Sequence, residues 1–209
     1  NGKAYRNTTK KVGKIYARFD ENGAYQITAS YCMVNGRKMQ VQYRTDPQVS
    51  DEILLAAILY AEAGGERQTA LSATLNQETI RVYKGQLAVG YTILNRMASR
   101  SYPSTVKEIV YAQYQFEPAR TGVLTALLKD QTRISTECRN TAKLLLKDYK
   151  AAQDSVKEFP RSEFTWCNFW ALSYARNYSD FFSVYKKSEY QIIGNQVFFN
   201  YTKTIHSQS

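Results

Sequence analysis

The segment that decides the fold is residues 50–66, which read SDEILLAAILYAEAGGE. Ser50 is a good helix N-cap, and the two acidic residues that follow it suit the positive end of a helix dipole. No proline or glycine interrupts the run before Gly64-Gly65, a pair that is typical of a helix stop. The segment therefore predicts a central, largely apolar helix that ends at the two glycines.

Glu62 lies in the last turn of this predicted helix. By the i, i+3, i+4 rule it continues an apolar stripe formed by Leu55, Ile58 and Leu59. Partial desolvation and the negative helix C-terminus both raise the pKa of a carboxyl group in such a place. A carboxyl group that stays protonated near neutral pH is what glycosidic bond cleavage requires. Glu62 is therefore a candidate catalytic acid; the alternative is a helix-end glutamate that bends out to water.

The composition predicts a basic globular chain of one domain, or one domain with a small appendage. The chain has 209 residues and a net charge of +10. No apolar run reaches the roughly 18 residues of a membrane span. No signal peptide is visible at Asn1, which leaves a cytosolic protein or a mature chain. The positive charge would attract nucleic acid, anionic lipid or an anionic wall polymer, and no zinc-finger spacing, RNP signature or phosphate loop supports nucleic acid.

Cysteine and histidine usage argues against a metal centre. Cys32, Cys138 and Cys167 fit no metal-binding spacing. A Cys138–Cys167 disulfide in a secreted protein and three reduced, buried cysteines are both compatible with the sequence. The only histidine, His206, lies in a polar tail, which disfavours a histidine-based triad or a zinc amidase site. We therefore expect neither metal nor cofactor.

The first 49 residues read as a separate N-terminal β-meander. Residues 1–11 are polar and basic, and we expect them to be frayed. Strands are predicted over 12–19, 24–34 and 37–44, with the hairpin signal Asn35-Gly36 between the last two. This predicts a module or extension over residues 1–49 and a main domain over residues 50–209.

The main domain reads as mostly helical. Residues 67–82 are polar and ambiguous, and are interpreted as an insertion or lid beside the Glu62 helix end. Residues 83–100 predict a second helix, in which Gly90 would allow close helix approach. Residues 164–170 form the densest aromatic cluster, which is more typical of a core than of a site. The chain is rich in tyrosine, whose rings stack on sugars as well as on bases.

Several segments taken together resemble the SleB-type cell-wall hydrolase family, the spore-cortex-lytic enzymes. Each piece is weak alone, and the ordered set is specific. The segments are YAEAGGE (60–66), YKGQLAVGYTILNR (83–96), YPSTV (102–106), IVY (109–111), QF (115–116) and IGNQVFF (193–199). The chain departs from the family pattern at Gly64, usually arginine, at Gln196, usually histidine, and in the length of the 67–82 stretch.

The resemblance implies an α+β fold: a mostly helical, lysozyme-like catalytic domain with a small β-hairpin, preceded here by the β-meander. It implies peptidoglycan as substrate and a single catalytic glutamate, which maps onto Glu62. The substrate-binding residues carried over or placed near the cleft are Gln115, Tyr60, Glu66, Asn95 and Phe116. For Asn95, helix-end packing is an equal alternative, and Glu66 is interpreted as a supporting residue rather than a second catalytic carboxylate.

The expected reaction is cleavage between N-acetylmuramic acid and N-acetylglucosamine by a lytic transglycosylase that uses Glu62 alone. The resemblance further suggests lysis of the spore cortex during germination and a location in the cell wall or spore envelope, outside the cell. The alternatives are a hydrolytic muramidase with Glu66 or Asp180 as second carboxylate, a non-catalytic wall-binding module, and a basic nucleic-acid-binding protein.

Overall fold

The computed structural model of this chain describes most of the residues from Asp46 onward and the strand backbones before it. The described residues are 6, 8–12, 15–19, 25–34, 37–41, 46–65, 69–112, 115–154 and 164–206. The helices are α1 (Asp51–Ala63), α2 (Lys84–Ala98), α3 (Val106–Val110), α4 (Glu117–Thr121), α5 (Val123–Lys129), α6 (Thr136–Asp154), α7 (Leu172–Asn177) and α8 (Phe181–Val184). In this part of the chain no helix is both long and apolar enough to cross a membrane.

The strands form three antiparallel groups. They are β1 (Thr8–Val12), β2 (Ile15–Phe19), β3 (Tyr25–Val34) and β4 (Arg37–Val41) in one sheet, β5 (Ala70–Leu75) and β6 (Glu78–Tyr83) in a hairpin, and β7 (Asn168–Ala171), β8 (Tyr190–Ile193) and β9 (Gln196–Phe199) in a sheet of order β7-β9-β8. The predicted α+β class, with a mostly helical domain, a small hairpin and an N-terminal meander, is confirmed.

The central helix α1 has the predicted ends. The Ser50 side chain accepts a hydrogen bond from the backbone N–H of Ile53 at 3.3 Å, and Gly64 caps the other end by donating to the Tyr60 carbonyl at 2.9 Å. The helix is not amphipathic as the stripe suggested, because every residue over 54–59 is buried. Helices α2 to α6 all pack against it, so it forms the axis of the main core.

Gly90 on α2 lets the central helices approach closely, as predicted. A Cβ atom at Gly90 would collide with Cδ1 of Leu145 on α6 and would lie 3.5 Å from Cδ2 of Leu59 on α1. Leu59 and Leu145 are both fully buried, so neither can move aside without disturbing the core. The three longest helices therefore meet at this glycine.

The N-terminal meander contains one strand more than the sequence indicated. Strand β1 covers Thr8–Val12, where fraying was expected, and pairs with β2 so that Val12 lies opposite Ile15. The predicted strand over 12–19 is therefore two strands. The other predicted strands agree with β3 and β4.

The ambiguous stretch 67–82, interpreted as an insertion or lid, is largely a β-hairpin. Asn76 and Gln77 both have positive φ at its turn, the geometry that matches the twist of two antiparallel strands. The hairpin packs against α6, and Lys147 of α6 donates to the Asn76 side chain at 3.1 Å. Its base closes at the hydrogen bond from Lys84 N–H to the Thr69 carbonyl, at 3.0 Å.

The β7-β9-β8 sheet separates two hydrophobic clusters. Successive residues of a strand point to opposite faces. Phe198 accordingly belongs to the main core around α1, whereas Val197 and Phe199 belong to a second cluster with Phe181 and Tyr185. One face of this small sheet therefore packs against the core around α1, and the other face packs against the C-terminal helices.

Candidate active site

Glu62 lies half-buried in the last turn of the central helix α1, three residues after the fully buried segment 54–59. Burial raises the pKa of the Glu62 carboxyl to about 7, and the negative charge of Glu117 adds to the rise. At neutral pH, a substantial fraction of the molecules therefore carry this carboxyl protonated. A proton donor is thus available under conditions where an ordinary glutamate has none.

Gln196 fixes the backbone of the turn that carries Glu62. Its Nε2 donates to the Glu62 carbonyl oxygen at 3.2 Å. That carbonyl is among the last of α1, which a helix leaves without an internal partner. Gln196 is largely buried at the start of β9, so the small sheet supplies the partner that the helix lacks.

An open pocket of about 180 Å³ borders the carboxyl-bearing end of α1. Three parts of the chain form it: the end of α1, the start of α2 and the β8–β9 turn. Its lining consists of Glu62, Ala63, Gly65, Gly85, Ile193, Asn195 and Gln196. Among the described residues of this lining, the polar side chains other than Glu62 are the neutral amides of Asn195 and Gln196, and neither carries a positive charge that would favour the ionised form of Glu62.

The β8–β9 turn that brings Asn195 and Gln196 to the pocket lies in the segment IGNQVFF (193–199). Gly194 has φ of 57°, a conformation that glycine adopts without steric cost. Ile193 pairs with Gln196 across the turn. The local sequence therefore places both amides beside Glu62.

Asn95 and Arg96 at the end of α2 hydrogen-bond to backbone carbonyls of the segment that leads into β7, and this pair is called the Asn95–Arg96 clamp. The Asn95 side chain donates to the carbonyls of Phe164 and Trp166 at 2.9 and 3.0 Å. The Arg96 Nε donates to the Cys167 carbonyl at 2.6 Å. Because β7 pairs with β9, this clamp also steadies the strand that carries Gln196.

The predicted substrate contacts separate into buried and accessible positions. Asn95 and Phe116 are each only 2% exposed, so neither offers a surface to a polymer. Their positions do not agree with direct substrate binding: Asn95 holds backbone carbonyls, and the Phe116 ring packs on Phe169 and under the Arg96 guanidinium. For Asn95 the structure thus favours helix-end packing.

Gln115 and Tyr60 are the predicted contacts that remain accessible. Gln115 is exposed immediately before Phe116, and Tyr60 is half-buried one turn before Gly64. A Cβ atom at Gly64 would collide with the Tyr60 carbonyl oxygen and lie 2.9 Å from Tyr60 Cδ2, so glycine permits this tight helix end. Glu66 lies outside the described residues.

Glu117 is a candidate functional residue that the sequence analysis missed. It opens α4, is exposed, and forms an ion pair with Arg120 at 3.3 Å. Its charge acts on Glu62 although 55 positions separate the two in the chain. Glu117 directly follows the Gln115-Phe116 pair, and that adjacency is the one sequence signal that could have drawn attention to it. Asp180, the other carboxylate considered, instead accepts a hydrogen bond from the His206 N–H at 2.8 Å.

The cysteines do not form the bridge that the sequence allowed. Cys138 and Cys167 are both reduced; Cys138 is buried and Cys167 is half-buried. Burial raises the pKa of the Cys167 thiol, and the nearby Arg96 partly opposes the rise. The side chain of Cys32 lies outside the described residues. Within the described ranges, no three metal-ligating side chains gather at one point.

The comparisons with known proteins define the class. The sequence profile of the cell wall hydrolase family matches residues 81–199, which is more than half of the chain. The chain therefore belongs to the cell wall hydrolase family. The matched span contains the β8–β9 turn, Glu117 and the Asn95–Arg96 clamp, and it begins after Glu62.

One solved structure is also similar. It is the catalytic domain of the germination-specific lytic transglycosylase SleB from Bacillus anthracis, with 22% sequence identity and a TM-score of 0.40. The match covers 76% of this chain and 100% of that one. No curated protein matches the chain.

Proposed function

We propose that this protein degrades peptidoglycan by cleaving the glycan strand between N-acetylmuramic acid and N-acetylglucosamine, as a lytic transglycosylase. The observation that carries the proposal is the Glu62 carboxyl, which borders an open pocket and has a pKa of about 7. Membership of the cell wall hydrolase family supplies the substrate class. Perturbed carboxyl groups in clefts are characteristic of acid catalysts.

In the proposed reaction, protonated Glu62 donates its proton to the glycosidic oxygen as the bond to the muramic acid C1 breaks. The acetamido group of the sugar stabilises the oxocarbenium-like centre, as in substrate-assisted glycosidases. The Glu62 carboxylate then accepts the proton of the C6 hydroxyl, whose oxygen attacks C1. The product is a 1,6-anhydro ring, and Glu62 is protonated again for the next cycle.

Intramolecular attack is favoured by the tether between the C6 hydroxyl and the reacting ring, which gives the hydroxyl a high effective concentration. The neutral amides of Asn195 and Gln196 suit this scheme. They can hydrogen-bond to sugar hydroxyl or acetamido groups, and they leave the Glu62 pKa high. Gln196 has the further role of holding the Glu62 backbone through its 3.2 Å hydrogen bond.

A hydrolytic muramidase is the second candidate, and Glu117 is the observation that favours it. Most glycosidases that hydrolyse their substrate use a second carboxylate to activate water or to act as nucleophile. Glu117 is the carboxylate whose charge raises the Glu62 pKa, so the two groups act on each other electrostatically. Under this alternative, Glu117 rather than Glu66 or Asp180 would assist the water.

The test is mass spectrometry of the muropeptides released from purified sacculi. A transglycosylase releases 1,6-anhydromuramic ends, each lighter by one water than the reducing ends that a muramidase leaves. The Glu62→Gln variant should release neither product. The matched control is Glu52→Gln, on the first turn of the same helix, where loss of the exposed Lys143 ion pair costs little stability.

The same experiment decides between the proposal and its rivals. Sacculus binding without muropeptide release by the wild type would indicate a wall-binding module. Reducing ends that disappear in Glu117→Gln would establish the muramidase. Binding to DNA that exceeds sacculus binding at physiological salt would indicate a nucleic-acid-binding protein, because a purely ionic contact weakens steeply with salt.

We further propose that the enzyme acts outside the cell, on the wall or spore cortex, with residues 50–209 as its catalytic domain and residues 1–49 as an appended module. The substrate class and the net charge of +10, which suits an anionic wall, support the location. Immunogold labelling of sporulating and vegetative cells tests it. Label confined to the cytosol at every stage would contradict it.

A further inference from the structure

Four aromatic rings form a continuous row on the face of the β7-β9-β8 sheet that is turned away from Glu62. This aromatic row consists of Tyr178, Tyr174, Trp170 and Tyr201. Successive ring centroids lie 6.1, 5.2 and 6.2 Å apart. The Trp170 indole also hydrogen-bonds to the Tyr201 side chain. The row is therefore a connected surface rather than four separate side chains.

The aromatic row is open to solvent but rigidly supported. Tyr174 is 39% exposed, and Tyr178 and Tyr201 are each 57% exposed. Trp170, the half-buried member of the row, packs on the buried rings of Phe181 and Phe199, whose centroids lie 5.9 and 5.3 Å from its own. Large aromatics exposed together and fixed from below are more typical of an interaction surface than of ordinary protein exterior.

Helix α7, which carries Tyr174 of the aromatic row, starts at a backbone contact with the rim of the Glu62 pocket. The backbone N–H of Leu172, the first residue of α7, donates to the carbonyl of the pocket-lining Asn195 at 2.8 Å. Tyr174 lies on α7, and Tyr178 lies at its end. The part of the row formed by Tyr174 and Tyr178 is therefore joined to the rim of the pocket through α7.

The surroundings of the row suit a neutral, hydroxyl-rich polymer. Ser173 and Asn177, both exposed on α7, can hydrogen-bond to hydroxyl or acetamido groups. Arg176 is the single charged residue of α7, whereas attraction to an anionic lipid surface relies on clusters of cations. Sugar rings present flat C–H faces between polar edges, and those faces stack on aromatic rings. A single file of rings matches one polysaccharide strand.

We propose that the aromatic row is a second, non-catalytic binding surface for a peptidoglycan glycan strand, outside the Glu62 pocket. It would hold the insoluble polymer while the pocket acts on a bond nearby. This inference rests on the proposed function, because the substrate class comes from there. The aromatic row would contribute to the binding of long glycan strands and would take no part in proton transfer.

The test measures binding to purified sacculi in a Glu62→Gln background, so that the polymer is not consumed. Adding Tyr174→Ala and Tyr178→Ala should weaken binding about tenfold, which corresponds to about 1.4 kcal/mol for the two lost stacking contacts together. The matched control carries Tyr174→Phe and Tyr178→Phe, which keep the rings and lose the hydroxyl groups. It should bind within about twofold of the parent. Circular dichroism and thermal melting establish that all three proteins are folded.

Unchanged sacculus binding by the folded double-alanine variant would overturn the inference. An equal loss in the phenylalanine control would also overturn it, because stacking would then not be the cause. A parallel loss of binding to anionic phosphatidylglycerol vesicles, or a dimer seen by sedimentation that the alanine variant abolishes, would reassign the surface to lipid or to a second copy. Wild-type muropeptide release, measured separately, shows whether the proposed function itself holds.

Discussion

The side chain of Gln196 donates a hydrogen bond to the backbone carbonyl of Glu62 across a sequence separation of 134 residues. This contact joins the end of the central helix to the small C-terminal sheet at the point where the candidate acid is presented. The position of the Glu62 carboxyl thus depends on the sheet as well as on the helix. The contact is a positioning interaction, because it involves the backbone of Glu62 and not its carboxyl group.

Replacing Gln196 with leucine should therefore impair catalysis more than stability. Loss of one hydrogen bond costs about 1 kcal/mol of unfolding free energy. We expect kcat to fall about tenfold or more, since a small displacement of the acid disturbs the geometry of proton transfer. The control is Gln191→Leu on the neighbouring strand β8, which removes the hydrogen bond from Trp166 at 3.3 Å. Equal losses of kcat in both variants would argue against a specific positioning role.

The pH dependence of activity should report the Glu62 pKa. The acid must be protonated, so the rate should fall as pH rises through about 7. Glu117→Gln removes a like charge, which lowers the Glu62 pKa and moves the basic limb of the profile to lower pH. Arg120→Gln removes the exposed partner of Glu117 and should move the limb slightly the other way. A basic limb that stays in place in Glu117→Gln would show that the two carboxylates do not interact.

The free energy of unfolding should also depend on pH, because the pKa of Glu62 is higher in the folded protein than in the unfolded chain. The folded pKa of Glu62 is raised from 4.5 to about 7. The stabilisation of the folded state that follows from this shift is therefore fully present below about pH 4.5 and is lost as pH rises through 7. Glu62→Gln has no charge to desolvate. It should match the wild type at pH 4 and exceed it by up to about 3 kcal/mol at pH 8.5, measured by urea unfolding. A constant difference at both pH values would contradict the buried-acid assignment.

The boundary of the N-terminal module can be tested by two truncations. Asp46 accepts a hydrogen bond from the Tyr111 hydroxyl, and Gln48 accepts one from Lys107 at 3.3 Å, so residues 46–48 are tied to α3. Deleting residues 1–45 keeps both bonds, whereas deleting 1–49 removes them. We expect the shorter deletion to melt at the higher temperature and to cleave soluble glycan fragments. Loss of cleavage in a folded 1–45 deletion would place the meander in the active site.

Local sequence signals predicted those features of the fold that depend on residues only a few positions apart in the chain. Ser50 and Gly64 delimit α1, and Gly194 sets the β8–β9 turn, because each acts on backbone groups a few residues away. The hairpin after α1 was missed since Asn76-Gln77 lacks the glycine that usually marks such a turn, although both residues have positive φ.

The candidate site was only partly predictable for a different reason. Glu62 could be singled out because its helix position alone implies desolvation. The influence of Glu117 and the hydrogen bond of Gln196 depend on chain segments that meet only in the folded protein. The role of Asn95 could not be predicted from its residue type, because an asparagine can either contact substrate or hydrogen-bond to backbone carbonyls. Its burial favours the second role.

The burial of α1 on all sides affects the order in which the protein loses activity and folded structure on heating. Amide hydrogens of residues 54–59 can exchange with solvent only when the surrounding helices separate, so this segment belongs to the slowest-exchanging unit. The candidate acid is attached to the end of that unit and not to a mobile lid. Heating should therefore leave the proton donor in place until the whole domain melts, and inactivation should coincide with global unfolding instead of preceding it.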